Sequence, residues 1–208
     1  MNKLVTGAIL FLGLSCSALA MPALSVIDTS QTSTGIAGNV RGWEFTTNSD
    51  ISVTALSIYD AGLDGLAEAH NVGIFNSSGT LLASVIIPSG TTAGLVNEFR
   101  SVAISPLTLL AGQTFRIAAT YNIVGDPYLN GSGSSFLADP AITYVTSYTE
   151  TSSTLTYPTV NPGNARIGPN FEFNLLAVGA PEINGLCLAG MMSSMVLLGL
   201  VERRRRPD

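Results

Sequence analysis

The sequence predicts an all-β protein, an antiparallel β-sandwich of jelly-roll type, lying between two apolar terminal segments. The central part of the chain is rich in β-branched residues and contains short stretches in which apolar and polar residues alternate. Turn-forming residues separate these stretches at intervals of roughly 8–12 residues, a spacing typical of sandwiches and barrels. No helical period appears between the two terminal segments.

The predicted strands follow one another along this body. In residues 51–60, "ISVTALSIYD", strict alternation places Ile51, Val53 and Ala55 on one face of a strand, with Leu56 and Ile58 on the other. Further strands are predicted at residues 69–76, 80–87, 97–104, 115–121, 141–149 and 169–176. The turn at 77–79 makes a hairpin of the strands on either side of it, and Ser105 with Pro106 is predicted to end the strand at 97–104.

The first twenty residues have the layout of a secretory signal peptide. Lys3 lies in a short polar start, residues 4–14 are apolar, and Ala18 and Ala20 occupy the small-residue positions of a cleavage site. We therefore predict a signal helix that the secretion translocon inserts, with cleavage after Ala20. A retained anchor and lipidation at Cys16 are the alternatives.

The last thirty residues have a second apolar segment followed by a basic cluster. Residues 183–201 carry no charge, and their length just suffices to span a hydrocarbon core of about 30 Å as a helix. Arg203, Arg204, Arg205 and Arg206 follow directly. Since positive charge stays on the cytoplasmic side, this pattern predicts a transmembrane helix with the body outside. A buried core helix is the alternative, and the four arginines argue against it.

This C-terminal region resembles the PEP-CTERM sorting signal of Gram-negative bacteria. The matching residues are Pro181 and Glu182, then the span 186–201, then the arginine cluster 203–206. The resemblance implies recognition and removal of residues 180–208 by a membrane protease, an exosortase. Ile183 stands where the family pattern has a second proline.

Residues 42–121 resemble a β-sandwich domain of unknown function that is frequent in PEP-CTERM proteins. The features that carry the resemblance are Trp43-Glu44-Phe45, Asp64-Gly65-Leu66, His70, Val72-Gly73 and Ala111-Gly112-Gln113. The resemblance implies a fold and brings no established activity.

Removing both ends leaves residues 21–179, a length that suits one domain. This body contains four arginines, no lysine and eleven acidic residues, so nucleic-acid binding is disfavoured. Both cysteines, Cys16 and Cys187, lie in the terminal segments, so a cysteine-ligated zinc site in the body is excluded.

The densest polar cluster is "YDAGLDGLAEAH", which contains Asp60, Asp64, Glu68 and His70. Carboxylates near glycines are what a calcium loop needs, although the spacing is not that of an EF-hand. The alternatives are an ordinary turn at Asp64, with Asp60 bonded to its own backbone, and a ligand-binding edge.

The sequence therefore predicts an exported, non-enzymatic envelope or extracellular protein. Its expected place is structural or adhesive, in the exopolysaccharide matrix, with no cofactor except calcium as an alternative. A carbohydrate-binding module that uses the loop at 60–70 is the second hypothesis, and a secreted hydrolase is the third. A triad hydrolase would have to use His70, the only histidine, and the chain has no G-x-S-x-G motif.

Overall fold

The computed structural model describes residues 20–34, 37–131 and 135–176, which belong to the compact unit Met1–Leu176. The predicted signal peptide, apart from Ala20, and the predicted sorting segment at 180–208 lie outside the described residues. Within those ranges the chain forms strands, turns and loops, and no helix there could span a bilayer. The all-β prediction is confirmed for this part of the chain.

The described residues form fifteen strands. They are β1 (Met21–Pro22), β2 (Leu24–Val26), β3 (Thr32–Thr34), β4 (Asn39–Thr47), β5 (Ile51–Tyr59), β6 (His70–Asn76), β7 (Leu81–Ile87), β8 (Gly94–Val96), β9 (Phe99–Leu109), β10 (Thr114–Tyr121), β11 (Pro127–Gly131), β12 (Phe136–Ala138), β13 (Ile142–Thr151), β14 (Ala165–Ile167) and β15 (Pro169–Leu175).

Two five-stranded sheets contain most of these strands. The first sheet has the order β1-β15-β5-β9-β8, and the second has the order β13-β4-β10-β6-β7. A three-stranded sheet, β14-β11-β3, and a two-stranded sheet, β12-β2, accompany them. Every pairing is antiparallel. The chain repeatedly passes from one large sheet to the other, as β4, β5, β6 and then β9, β10 do.

Aromatic side chains join the two large sheets into a sandwich-like pair. Trp43 and Phe45 on β4 are fully buried against Phe171 on β15, with ring centres 5.9 and 4.9 Å from that of Phe171. The Trp43 indole also donates a hydrogen bond of 2.7 Å to the Pro169 carbonyl oxygen. A buried indole N–H needs such a partner. Trp43 is therefore a core residue.

The predicted end of a strand at Ser105 and Pro106 is wrong, because β9 continues to Leu109. The register of β9 against β5 shifts between the pairs Val53–Leu107 and Ala55–Ala103, so β9 carries extra residues there. Such a bulge leaves residues outside the ladder, which lets a proline without an N–H stay within the strand.

A second irregularity breaks the uninterrupted alternation predicted for β5. Between Val53 and Ala55 this strand carries one extra residue against β15. Before this bulge the fully buried apolar residues are Ile51 and Val53, and beyond it they include Leu56 and Ile58. A bulge exchanges the faces on which later side chains lie, because side chains in a strand alternate with a period of two. Apolar residues from both predicted faces therefore enter one core.

Candidate functional site

The four residues of the predicted polar cluster separate into two buried networks and one exposed side chain. Asp60 belongs to the first network, Glu68 and His70 belong to the second, and Asp64 is exposed to solvent. Neighbours in sequence are separated here because the chain turns sharply between Ala61 and Leu66 and then enters β6.

The first network is centred on an ion pair between Asp60 and Arg100. Asp60 is 2% exposed, and its Oδ2 accepts a hydrogen bond of 2.7 Å from Arg100 Nε. Both carboxylate oxygens also lie 3.1–3.2 Å from the Gly65 amide nitrogen, which donates to them. Asp60 therefore holds the two ends of its own loop together, as the turn interpretation of this cluster expects.

Arg100 fastens the same loop to a second segment of the chain. Its Nη2 donates to the Leu63 carbonyl oxygen at 3.2 Å, and its Nη1 lies 3.3 Å from the carbonyl oxygens of Thr91 and Ala93. The guanidinium thus supplies the positive charge that the buried Asp60 carboxylate needs. Calcium binding by this loop stays a prediction, and Asp60 would have to exchange Arg100 for the ion.

The second network places His70 between two acceptors. Its Nδ1 lies 2.6 Å from the Thr120 carbonyl oxygen, and its Nε2 lies 2.9 Å from Asp126 Oδ2. The ring is fully buried, and both of its nitrogens have a polar partner. The geometry therefore describes a buried histidine held in one orientation beside a carboxylate.

Asp126 also caps the chain segment that leads into β6. It accepts hydrogen bonds from the amides of Ala67 and Glu68 at 2.8 and 3.1 Å. Burial by itself would raise the pKa of Asp126, but the hydrogen bond from His70 and those from the two amides together hold that pKa below its ordinary value. The carboxylate is thus kept ionised.

Glu68 is the third side chain of the second network. Its Oε1 accepts from the amides of Asn122 and Ile123 at 2.6 and 3.0 Å, which ties the loop after β10 to the segment before β6. Potential ligand atoms of Glu68, His70 and Asp126 lie within 4.8 Å of one another. Each of these side chains already has a hydrogen-bond partner, so the arrangement is that of a structural clasp.

A surface cleft lies beside the Asp60 loop. Its volume is 470 Å³, and it is lined by Thr29, Thr32, Tyr59, Ala61, Gly62, Leu63 and Glu98. A neighbouring recess of 230 Å³ is lined by Ser25, Val26, Asn97 and again Glu98. Glu98 therefore contributes to the lining of both recesses.

Tyr59 also lines the first recess. Burial raises the pKa of its phenol, and the charges of Glu98 and Asp60 raise it further.

Two further arginines of the body are stacked on aromatic rings. Arg41 is 2% exposed, with its guanidinium carbon 4.1 Å from the ring centre of Tyr128. Arg116 lies on the second sheet, with its guanidinium carbon 3.4 Å from the ring centre of Tyr148 and 4.4 Å from that of Tyr157. Arg116 Nη1 also donates to the Pro158 carbonyl oxygen at 2.7 Å. Arg116 thereby holds the loop 152–164 against the sheet.

We expect Arg116→Lys to lower the free energy of unfolding by about 1–2 kcal/mol and to loosen the loop 152–164. Lysine keeps the charge but has no planar group to stack between two rings. Urea unfolding measures the first effect, and amide hydrogen exchange of residues 152–164 measures the second. Arg166→Lys is the matched control, expected within about 0.5 kcal/mol of wild type. Equal exchange in both variants would contradict the stacking role.

Sequence reasoning missed Arg100, Asp126 and Glu98. Arg100 lies 40 positions from Asp60, and Asp126 lies 56 positions from His70, so neither pairing has a local signal. The only sequence feature that pointed to Arg100 was a charged residue inside a predicted strand, in a body with just four arginines.

Comparison with known proteins identifies a family for this chain. No curated protein matches the chain. A family described as a domain of unknown function, DUF4082, matches residues 28–136, which include Asp60, His70, Glu98, Arg100 and Asp126. The matched region covers more than half of the 208 residues, and the chain belongs to the DUF4082 family.

Proposed function

We propose that this is an exported protein of the cell envelope or the extracellular space, with a structural or adhesive role in an exopolysaccharide matrix. The observation that carries the proposal is that the sequence has a signal-type segment at one end and a sorting-type segment at the other. A signal-type segment ends at Ala20, and a PEP-CTERM-like segment combines Pro181 and Glu182 with an apolar span and the arginines 203–206. In this scheme the translocon exports the chain, the C-terminal helix holds it at the inner membrane, and an exosortase then releases it.

The described body supports a non-enzymatic role. Its buried carboxylates are paired with buried basic side chains that fasten loops, Asp60 with Arg100 and Asp126 with His70. A general base needs a side chain that can reach a substrate. His70, the only histidine of the chain, is instead fully buried with both ring nitrogens in hydrogen bonds.

The test follows the two ends of the chain in the bacterium that makes it. We expect N-terminal sequencing of the exported protein to begin at Met21. We expect neutral replacement of Arg203, Arg204, Arg205 and Arg206 to impair retention, orientation and C-terminal processing, because these charges fix the cytoplasmic side. Residues before Met21 in the mature protein, or unchanged location and processing in the arginine variant, would overturn the proposal.

A carbohydrate-binding module is the second candidate, and the cleft beside the Asp60 loop is the observation that favours it. The cleft has hydroxyl groups from Thr29 and Thr32, a carboxylate from Glu98, and an apolar surface from Leu63. Binding sites for small ligands combine apolar walls with a few placed polar groups in this way. Glycan binding measured with and without a calcium chelator separates a calcium-dependent module from a calcium-independent one.

A further inference from the structure

The turn between β8 and β9 holds two residues in a backbone conformation that side chains rarely adopt. Val96 pairs with Phe99, so Asn97 and Glu98 are the two central residues of the hairpin. Their φ angles are 46° and 66°, the positive pair that defines a type I′ turn. Asparagine is common at the first position, whereas glycine is strongly preferred at the second. A glutamate at 98 is therefore a locally unfavourable choice.

The conformation of this turn fixes Glu98 at the rim of the cleft. Glu98 lines both recesses, and its carbonyl oxygen accepts a 2.9 Å hydrogen bond from the Asp60 amide. Within the described ranges its carboxylate has no salt-bridge partner. Strained residues held by the surrounding structure cluster at binding sites, where a side chain must occupy a set position.

Leu63 also lines the cleft, and hydrogen bonds fasten the loop that carries it. Leu63 has a φ of 63° and is 47% exposed, so its apolar side chain lies partly in solvent. Its carbonyl oxygen is held by Arg100, and Asp60 closes the loop around it through Gly65. A loop that is already held by these hydrogen bonds loses little conformational entropy when a ligand binds.

The chemistry of the lining selects a class of ligand. The cleft offers one carboxylate, the hydroxyl groups of two threonines, and apolar surface from Ala61 and Leu63. Sugar hydroxyls donate hydrogen bonds to a carboxylate, and the C–H face of a sugar ring packs on apolar side chains. An acidic sugar would be repelled by Glu98 and by a body whose acidic residues outnumber its basic ones. The volume of 470 Å³ falls within the range of about 300–1,000 Å³ found for small-ligand sites.

We propose that this cleft binds a neutral sugar unit of an extracellular polysaccharide, with Glu98 accepting hydrogen bonds from the sugar hydroxyls. The proposal rests on the proposed function, because a place in an exopolysaccharide matrix is what brings such a ligand to the protein. It assigns the contact to Glu98, Thr29, Thr32 and Leu63 rather than to the buried networks.

The test compares binding and thermal stability in the same variants. The purified chain is applied to an array of immobilised neutral, cationic and anionic polysaccharides. We expect wild type to bind neutral polysaccharides, and Glu98→Gln and Glu98→Gly to lose at least about tenfold in affinity. Asp64→Asn, which removes an exposed carboxylate that does not line the cleft, should bind as wild type does.

Glu98→Gly separates loss of the site from loss of the fold. Glycine suits the second position of the turn, so this variant should melt about 1–4 °C above wild type while binding less. Wild-type affinity in Glu98→Gly, or an absence of neutral-glycan binding by wild type, overturns the inference. Either result leaves the proposed export and sorting intact, since that is judged from the mature N-terminus and the location of the protein.

Discussion

Replacing Arg100 with methionine should lower the free energy of unfolding by about 3–5 kcal/mol, because it leaves Asp60 charged and buried without a cation. Methionine fills part of the same space and donates no hydrogen bond to Asp60 or to the carbonyl oxygens of Leu63, Thr91 and Ala93, all of which Arg100 contacts. Urea unfolding at neutral pH, with wild type measured in parallel, gives the difference directly.

Two comparisons identify the cause of that loss. Asp64→Asn removes an exposed carboxylate from the same loop and should change stability by less than about 0.5 kcal/mol. Adding Asp60→Asn to the Arg100 variant removes the uncompensated charge and should recover part of the loss, which a double-mutant cycle measures. If the Arg100 and Asp64 variants were equally stable, the buried pair would not be what fixes this loop.

We expect His70→Ala to be similarly costly, by about 3–5 kcal/mol at neutral pH. The substitution leaves the buried Asp126 carboxylate and the Thr120 carbonyl oxygen without the contact that His70 provides. It also removes a ring that packs edge-on against Tyr121, with the two ring centres 4.9 Å apart. Asp126→Asn should cost much less, about 1 kcal/mol. Asparagine has the same shape without the charge, and its oxygen still accepts from the Ala67 amide at the position of Oδ1. Its amide nitrogen takes the place of Oδ2 beside His70 and cannot accept from the Glu68 amide.

The pH dependence of these variants tests the charge on Asp126. The pKa of Asp126 is lower in the folded protein than in the unfolded chain, so the unfolded chain takes up the proton first as the pH falls. The stabilisation is fully present at a pH above the pKa of an aspartate in the unfolded chain, about 3.9. It is lost as the pH falls through the lower pKa of Asp126 in the folded protein. The stability difference between wild type and Asp126→Asn should therefore shrink over that acidic range. A difference that stays constant down to acid denaturation would contradict the assignment.

The positions of several strands could be predicted from sequence because alternation and turn residues are local signals. β5, β6, β7 and β10 lie within one residue of the predicted ranges. The central strand β4 was not among those ranges. The bulge on β9 could not be predicted, since a proline after an apolar run is equally typical of a strand end. The bulge that changes the faces of β5 depends on the pairing of this strand with β15, far along the chain.

The sequence grouped Asp60, Asp64, Glu68 and His70 in one predicted loop. Asp60, Glu68 and His70 each find a partner in a distant segment. Proximity along the chain suggested one shared site, whereas the fold gives Asp60 to Arg100 and His70 to Asp126. Glu98 escaped notice because its significance lies in a backbone angle, which composition and spacing do not reveal.

The burial and stacking of the arginines also limit where proteases can cleave residues 21–176. Proteases that cleave after basic residues need an accessible and extended chain, and residues 21–176 contain no lysine and only four arginines. Arg41 and Arg100 are buried, Arg116 lies between two tyrosine rings, and Arg166 is half-buried in β14. Cleavage by such enzymes must then wait for local or global opening, so the rate of tryptic digestion should follow the free energy of unfolding. The same contacts that hold the loops would set the lifetime of the protein among secreted proteases.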